Sequence, residues 1–343
     1  LDTATALQVK EALQLVETRI KEIMKELIRL ARRHRRTIMV GRTHGQHAVP
    51  ITLGLKFSVW ICELGRHLER LQQIRPRVLV GKMSGAVGTG AAWGKKAAAL
   101  QATVMRLLEL HPPDATTQIL QRDRFAELIS FIALVASTFD KIAREIRNLQ
   151  RTEIEELAEP FAEKQVGSST MPHKRNPIRC EKICGLARVL RSQVVAALEN
   201  IVLEHERDLT NSSCERVLLP QSFLLLDEIL RTAHFVIKNL RIFPERISRN
   251  LQLTRGLHMA EAVMIELARR GMNRQEAHKL LRRCSSKAVL EHLPLDDILK
   301  AESEITKYLS PKEIDALLDP YRYLGVAPAI VDRVTSRFSS MLE

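Results

Sequence analysis

An all-α fold built on long helices is predicted by three features of this 343-residue sequence. Apolar residues recur every three or four positions over several long stretches, and the 14 glycines and 13 prolines collect mostly between those stretches. Aromatic residues make up only 4% of the chain, which leaves Leu, Ile, Val and Ala to pack the interior. The apolar share of 45% and charged share of 27% are those of an ordinary globular protein, which excludes disordered and collagen-like classes. A chain of this size buries a large core and divides into two or three domains.

Taken in order, Leu13, Val16, Ile20, Ile23, Leu27 and Leu30 step along one face with Lys, Glu and Arg between them, predicting an amphipathic helix of about thirty residues from Val9. The basic run Arg32-Arg33-His34-Arg35-Arg36 follows it and complements the negative end of its dipole. A polar island, Gly41-Arg42-Thr43-His44-Gly45-Gln46-His47-Ala48-Val49-Pro50, then interrupts. A second helix carries Leu53, Phe57, Trp60, Ile61, Leu64, Leu68 and Leu71 on one stripe. Between residues 76 and 94 the chain turns Gly-rich, where small residues permit close approach of backbone to a ligand or neighbour. A shorter helix over residues 97–110 is ended by Pro112-Pro113-Asp114.

Residues 124–159 contain neither Gly nor Pro and carry a stripe from Leu128 to Leu149, so the spacing predicts a helix of roughly 50 Å at 1.5 Å per residue. Few monomeric folds cover a helix that long. A polar loop over residues 164–177 separates it from the next helix, which begins with Asn176 as cap and Pro177 as first residue and runs to His205. Another spans residues 217–241, with Pro220 either in its first turn or at a kink. Beyond Phe243-Pro244-Glu245 the helices shorten, which divides the chain into residues 1–250, a long-helix bundle, and residues 251–343, a smaller helical domain.

The net charge of +13 fits a nucleic-acid partner, an acidic substrate or a charge-rich surface equally well. The basic runs lack the interleaved aromatics that stack bases, which speaks against nucleic acid. Five cysteines without a C-x-x-C pair argue against a disulfide scaffold and against zinc, and predict a reduced, cytosolic setting. Signal-peptide and transmembrane patterns are absent from the sequence. The opening Leu1-Asp2-Thr3-Ala4 reads as the interior of a longer chain.

The 164–177 loop is equipped to grip an anion. Gly167 and the hydroxyls of Ser168 and Ser169 supply a backbone that moves and an oxygen to present, while Lys174, Arg175 and Asn176 supply cation and amide donors. The free N–H groups of the helix that follows point back at the loop, and a carboxylate or phosphate is their natural guest. A third island lies at His205-Glu206-Arg207-Asp208, with Ser212 and Glu215-Arg216 behind it. Islands at the ends of long parallel helices converge at the ends of a bundle.

The run Gly167-Ser168-Ser169-Thr170-Met171-Pro172-His173-Lys174-Arg175-Asn176-Pro177 resembles the signature of the fumarase/aspartase superfamily, whose members release fumarate from succinyl compounds. The Thr43-His44-Gly45-Gln46 segment, the Lys82-Met83-Ser84-Gly85-Ala86-Val87-Gly88-Thr89 loop and the His-Glu-Arg-Asp island are similar to the adenylosuccinate lyase branch. The central motif alone also fits carboxymuconate cycloisomerases. The resemblance implies a homotetramer with each site assembled from three subunits, a nucleotide substrate, an N-terminal domain that completes the site, and no cofactor or metal. It assigns Ser168 as general base and His44 as general acid. It places Thr43, Gln118, Ser169, Met171, Lys174, Asn176, Arg207, Ser212 and Arg216 against the substrate, and leaves His47, His173 and His205 structural. A basic helical nucleic-acid-binding protein on a retained lyase fold is the alternative from another class.

Overall fold

The structure, a computed structural model, describes residues 1–161, 171 and 173–342. Among the described residues five long helices form the bundle: α1 (Asp2–Arg33), α2 (Leu53–Val78), α4 (Asp123–Leu149), α5 (Ile178–Glu199) and α6 (Thr210–Lys238), with the short α3 (Ala97–Leu107) beside them. The core lies along their shared axis, where Leu13, Ile20, Met24 and Leu27 of α1 meet Phe57, Ile61, Leu64 and Leu71 of α2 and Phe139 of α4, all fully buried. Each such side chain contributes about 1.5–3 kcal/mol on removal from water.

The polar island at residues 41–50 is a β-hairpin, which helical periodicity did not foresee. β1 (Ile38–Thr43) pairs antiparallel with β2 (Gln46–Thr52), with a register shift between Val40 and Arg42. The signal was present as two β-branched clusters around a His-Gly turn. Thr52 caps α2 by accepting from Leu55 N at 3.1 Å. Gly54 follows because any Cβ there would stand 2.7 Å from Ala31 O, so α2 leaves the hairpin in close contact with α1.

The helix expected over residues 124–159 ends at Leu149. Glu155 takes a left-handed φ of 51°, Glu156 N donates back to Leu149 O, and the chain turns so that the Glu156 carboxylate is fully buried. There it receives both terminal nitrogens of Arg42, at 2.7 and 2.9 Å, and Asn250 Nδ2 at 2.9 Å. A fixed carboxylate, rather than a Gly or Pro, stops the helix. α4 is largely covered within the chain; its one large exposed apolar side chain is Leu134. More uncovered apolar side chains lie on α5 and α6, at Val189, Val195, Leu198, Val217, Leu224 and Phe235, with others elsewhere such as Leu15 and Val59.

Two further boundaries differ from expectation. α5 stops at Glu199, and α6 starts at Thr210, so that Pro220 lies well inside it on the exposed side. The two-residue strands β3 (Leu157–Ala158) and β4 (Arg241–Ile242) pair near the C-terminus of α4, and α7 (Pro244–Gln252) packs on β1. A second apolar cluster, with Val263, Leu267, Leu281, Leu295, Leu299, Ile305 and Ile314, is built from α8 (Ala260–Arg269), α9 (Arg274–Leu290), α10 (Leu295–Ala301), α11 (Ser303–Thr306) and α12 (Pro311–Leu317). The last helix, α13 (Ala327–Leu342), returns to the bundle, where Val331, Val334 and Phe338 join the first cluster and Phe338 occupies the space left by Gly65. Among the described residues no helix is long and apolar enough to cross a membrane, and the five cysteines are unpaired.

Two outcomes follow from these contacts. Glu156→Ala strands the Arg42 guanidinium and lowers the unfolding free energy by about 3 kcal/mol in denaturant titrations; a loss under ~0.5 kcal/mol contradicts the latch, since that is the range of ordinary surface changes. His67 is 3% exposed and hydrogen-bonds Thr138 Oγ1 at 2.9 Å. Burial, with Arg70 and Arg66 adding to it, pushes its pKa from 6.5 down to about 4. The neutral ring belongs to the folded state, so its stabilisation is complete above pH 6.5 and is lost as pH falls towards 4. The parent protein therefore loses on the order of 3 kcal/mol more than His67→Gln between pH 7 and pH 4; equal losses contradict the assignment.

Candidate active site

The described candidate residues lie at two ends of the bundle. At the hairpin end, His44 and Gly45 form the two-residue turn between β1 and β2, both at positive φ (53° and 74°). This turn suits the twist of the strands and costs a non-glycine residue backbone strain at His44. Its outcome is that Thr43, His44 and Gln46 stand exposed at the tip. The hairpin beneath them is held by the Arg42–Glu156–Asn250 cluster.

The same end holds the described part of the polar loop. Met171, Lys174 and Asn176 line a cleft of about 1110 Å³ between the C-terminus of α4 and the N-terminus of α5. Arg147, Arg151, Arg188 and Arg241 also line it, beside Glu155, Glu159 and Glu181, so basic side chains outnumber acidic ones around the cleft. Sequence reasoning missed these arginines; the available signal was Arg147 in the last turn of α4 and Arg151 just past its end, four residues apart at a terminus that faces the loop. Ser168 and Ser169, the expected base and its neighbour, lie outside the described residues.

The first turn of α5 differs from expectation. Pro177 is the cap, not Asn176, and makes no side-chain capping bond. The N–H groups of Arg179 and Cys180 donate to the two carboxylate oxygens of Glu159, at 3.2 and 2.9 Å. The anion expected at this helix terminus is thus one of the chain's own carboxylates, 2% exposed. Gln150 accepts from Glu159 N and donates to Arg175 O, both at 3.0 Å, so one side chain ties the two sides of the loop. Burial and the neighbouring Glu159 hold the Cys180 thiol well above the usual range, which keeps it unreactive.

The remaining residues gather at the opposite end, where α2 runs into the Gly-rich loop and α4 and α6 begin. Arg207 Nη1 donates to Gln118 Oε1 at 3.2 Å, and Gln118 N donates to Glu206 O at 3.2 Å. Lys82 Nζ donates to Gln118 O at 2.5 Å and to Gly85 O at 3.3 Å. Ser212 and Arg216 follow on the first turns of α6, half-buried and exposed respectively. Beneath them Arg122, 2% exposed, joins Asp2 at 3.0 Å and Glu215 at 2.9 Å. Burial alone would raise Asp2, but the Arg122 guanidinium and the Leu120 N–H hold it below the usual carboxylate range; burial raises Glu215 against the pull of Arg122.

The structure therefore brings Gln118 and Arg207 together, and places Met171, Lys174 and Asn176 on one cleft. It sets these two groups at opposite ends of α5, whose 22 residues span about 33 Å. His44 shares the hairpin end with the cleft and points outward from its own chain's core.

Comparison with known proteins identifies the bundle. A family model described as Lyase matches residues 1–191, and one described as Adenylosuccinate lyase C-terminus matches residues 256–334. An adenylosuccinate lyase of Pyrococcus horikoshii is 56% identical over 99% of this chain and 76% of its own length. Among solved structures, a fumarate lyase from Mesorhizobium sp. BNC1 superposes with a TM-score of 0.90 at 38% identity, covering 98% of this chain and 75% of that one. A 3-carboxy-cis,cis-muconate lactonizing enzyme from Pseudomonas putida gives the same TM-score and identity over 100% of this chain and 76% of its own. The bundle is thus common to lyases and lactonizing enzymes, whereas the higher identity and the matched C-terminal region separate them. On those two grounds the chain belongs to the adenylosuccinate lyase family.

Proposed function

We propose that this protein eliminates fumarate from adenylosuccinate, giving AMP, and from the succinylaminoimidazole carboxamide ribotide of purine synthesis, in a cytoplasmic homotetramer whose sites are shared between subunits. The observation that carries the sharing is the separation of the loop cleft from the Gln118–Arg207 group by the length of α5. One nucleotide cannot bridge that span, so a second copy running antiparallel has to bring the far end to the near one. The uncovered apolar side chains of α5 and α6 offer the surface for such packing, as hydrophobic faces that a monomer leaves in water do.

The chemistry assigns each group a task. Breaking the C–N bond begins with loss of a weakly acidic proton beside a carboxylate, and the carbanion spreads its charge onto that carboxylate. Lys174 and Asn176 meet this developing dianion with a cation and an amide N–H, within a cleft whose arginines bias the field the same way. Ser168 takes the proton; a neutral hydroxyl is a weak base, and closure of the loop around the substrate is what activates it. The departing purine nitrogen needs a proton, which His44 supplies from the exposed hairpin tip of another subunit, with Thr43 beside it. Ser169 and Met171 line the succinyl end. Gln118, Arg207, Ser212 and Arg216 hold the nucleotide end, where a guanidinium fork suits phosphate.

Two measurements test this reading. Purified protein releases fumarate from adenylosuccinate, followed by ultraviolet absorbance, and Ser168→Ala lowers kcat by about 10²–10⁴ while AMP binding stays within threefold; parental rates in Ser168→Ala remove it as the base. Leu224→Glu and Val195→Glu place charges on the α5–α6 face and shift the particle to dimers or monomers in sedimentation, with activity lost in parallel. A fully active monomer contradicts the shared site.

A further inference from the structure

Beneath the turn that presents His44, Thr43 pairs with Gln46, and the next rung of the hairpin is Arg42 opposite His47. Cross-strand neighbours project from the same face of a ribbon, so whatever seats these two side chains sets the height and tilt of the tip. Arg42 is seated on Glu156 and Asn250. His47 has no such seat within the bundle: its Nδ1 is shut away from water and has no hydrogen-bond partner among the described residues.

The short 3-10 turn Leu257–Met259 packs on β2 from the C-terminal side of the chain. Gly256, at φ 90°, swings the backbone into that turn after α7. Thr254 Oγ1 then lies 2.8 Å from His258 Nδ1, which fixes the His258 ring and leaves Nε2 as its second polar atom. That Nε2 is also buried and without a partner among the described residues. The same region presses on the other strand, where Leu251 meets Ile38 and Val40.

Two imidazoles, each with a buried ring nitrogen left over, thus stand on two segments that touch, near enough for a charge on His47 to act on His258. Burial holds both below the usual imidazole range; Arg42 lowers His47 further while Glu156 opposes, and His47 lowers His258. The start of α2 and α13 also touch β2, but among the described residues neither brings a charge that acts on His47. A neutral imidazole carries one N–H and one lone pair, so two of them are complementary, whereas two imidazoliums oppose N–H to N–H. Because the folded state favours the neutral rings, what they contribute is complete above pH 6.5 and is lost as pH falls below it.

We propose that His47 and His258 are positioning residues, a neutral imidazole pair that braces the second strand of the hairpin as Glu156 braces the first and holds His44 where it reaches the leaving nitrogen. The pair acts through His44 and touches no substrate. Its effect on turnover rests on the lyase reading; its effect on the hairpin does not.

His258→Gln and His258→Leu in the full-length chain test the brace. The Gln amide keeps one donor and one acceptor but cannot take up a proton, whereas Leu offers neither. At pH 7.5 His258→Leu lowers kcat for fumarate release about tenfold with KM within threefold, the worth of one hydrogen bond, and His258→Gln restores most of it. Between pH 7.5 and pH 5.5 the kcat of the parent falls about tenfold more than that of His258→Gln. Hydrogen exchange over residues 43–47, corrected for intrinsic rates, reads the same brace without turnover: it speeds up at pH 5.5 in the parent and in His258→Leu at both pH values, but not in His258→Gln. Parallel pH profiles and equal exchange in the parent and His258→Gln overturn the brace even if His258→Leu does not fold. Parent protein that shows the exchange difference but releases no fumarate overturns the lyase reading instead and leaves the brace standing.

Discussion

The length of α5 is the constraint that the rest of the molecule answers to. A rigid helix cannot be shortened to suit a ligand, and this one keeps the loop cleft and the Gln118–Arg207 group about 33 Å apart. The candidate site residues that are described therefore lie at the ends of the bundle. The middle is given over to packing, with side chains such as Leu13, Leu64 and Phe139 excluded from water on all sides. Under the proposed function, association of copies is a requirement of catalysis rather than an addition to it, and the apolar side chains left exposed on α5 and α6 are consistent with that demand.

Buried carboxylates set the geometry of the two ends. Glu156 fixes the hairpin that carries His44, Glu159 closes the first turn of α5, and Asp2 with Glu215 brackets Arg122 beneath the Gln118–Arg207 pair. Such pairs add little net stability compared with an apolar substitute, because desolvation offsets most of the attraction. Their value lies in direction: a carboxylate with fixed N–H partners admits few alternatives, and residues attached to it inherit that precision. Glu159 and Arg175, on either side of the polar loop, are held this way through Gln150.

Helical periodicity made the bundle legible because each long helix buries one face, and the stripes from Leu13 to Leu30 and from Leu128 to Leu149 are the core as found. It failed where tertiary contacts decide. The end of α4 carries no Gly or Pro and is set by the burial of Glu156, which only the folded chain reveals. The hairpin was hidden because a polar turn between two short β-branched clusters reads as a break between helices. The candidate site motifs were singled out through their resemblance to a known family, but the placement of the described ones at opposite ends was not readable, since spacing along a sequence says nothing about which end of a neighbouring helix a loop reaches. The Glu159 cap at the anion-binding helix terminus was equally invisible for that reason.

Subunit mixing tests the shared site most directly. Ser168→Ala and His44→Gln proteins, each inactive alone, are combined in equal amounts, their subunits exchanged in mild denaturant, and the particles reassembled. If the base and the acid come from different subunits, random exchange restores both to roughly a quarter of the sites and a matching share of parental activity. Hybrid particles, verified by mass, that remain as inactive as either variant contradict the account.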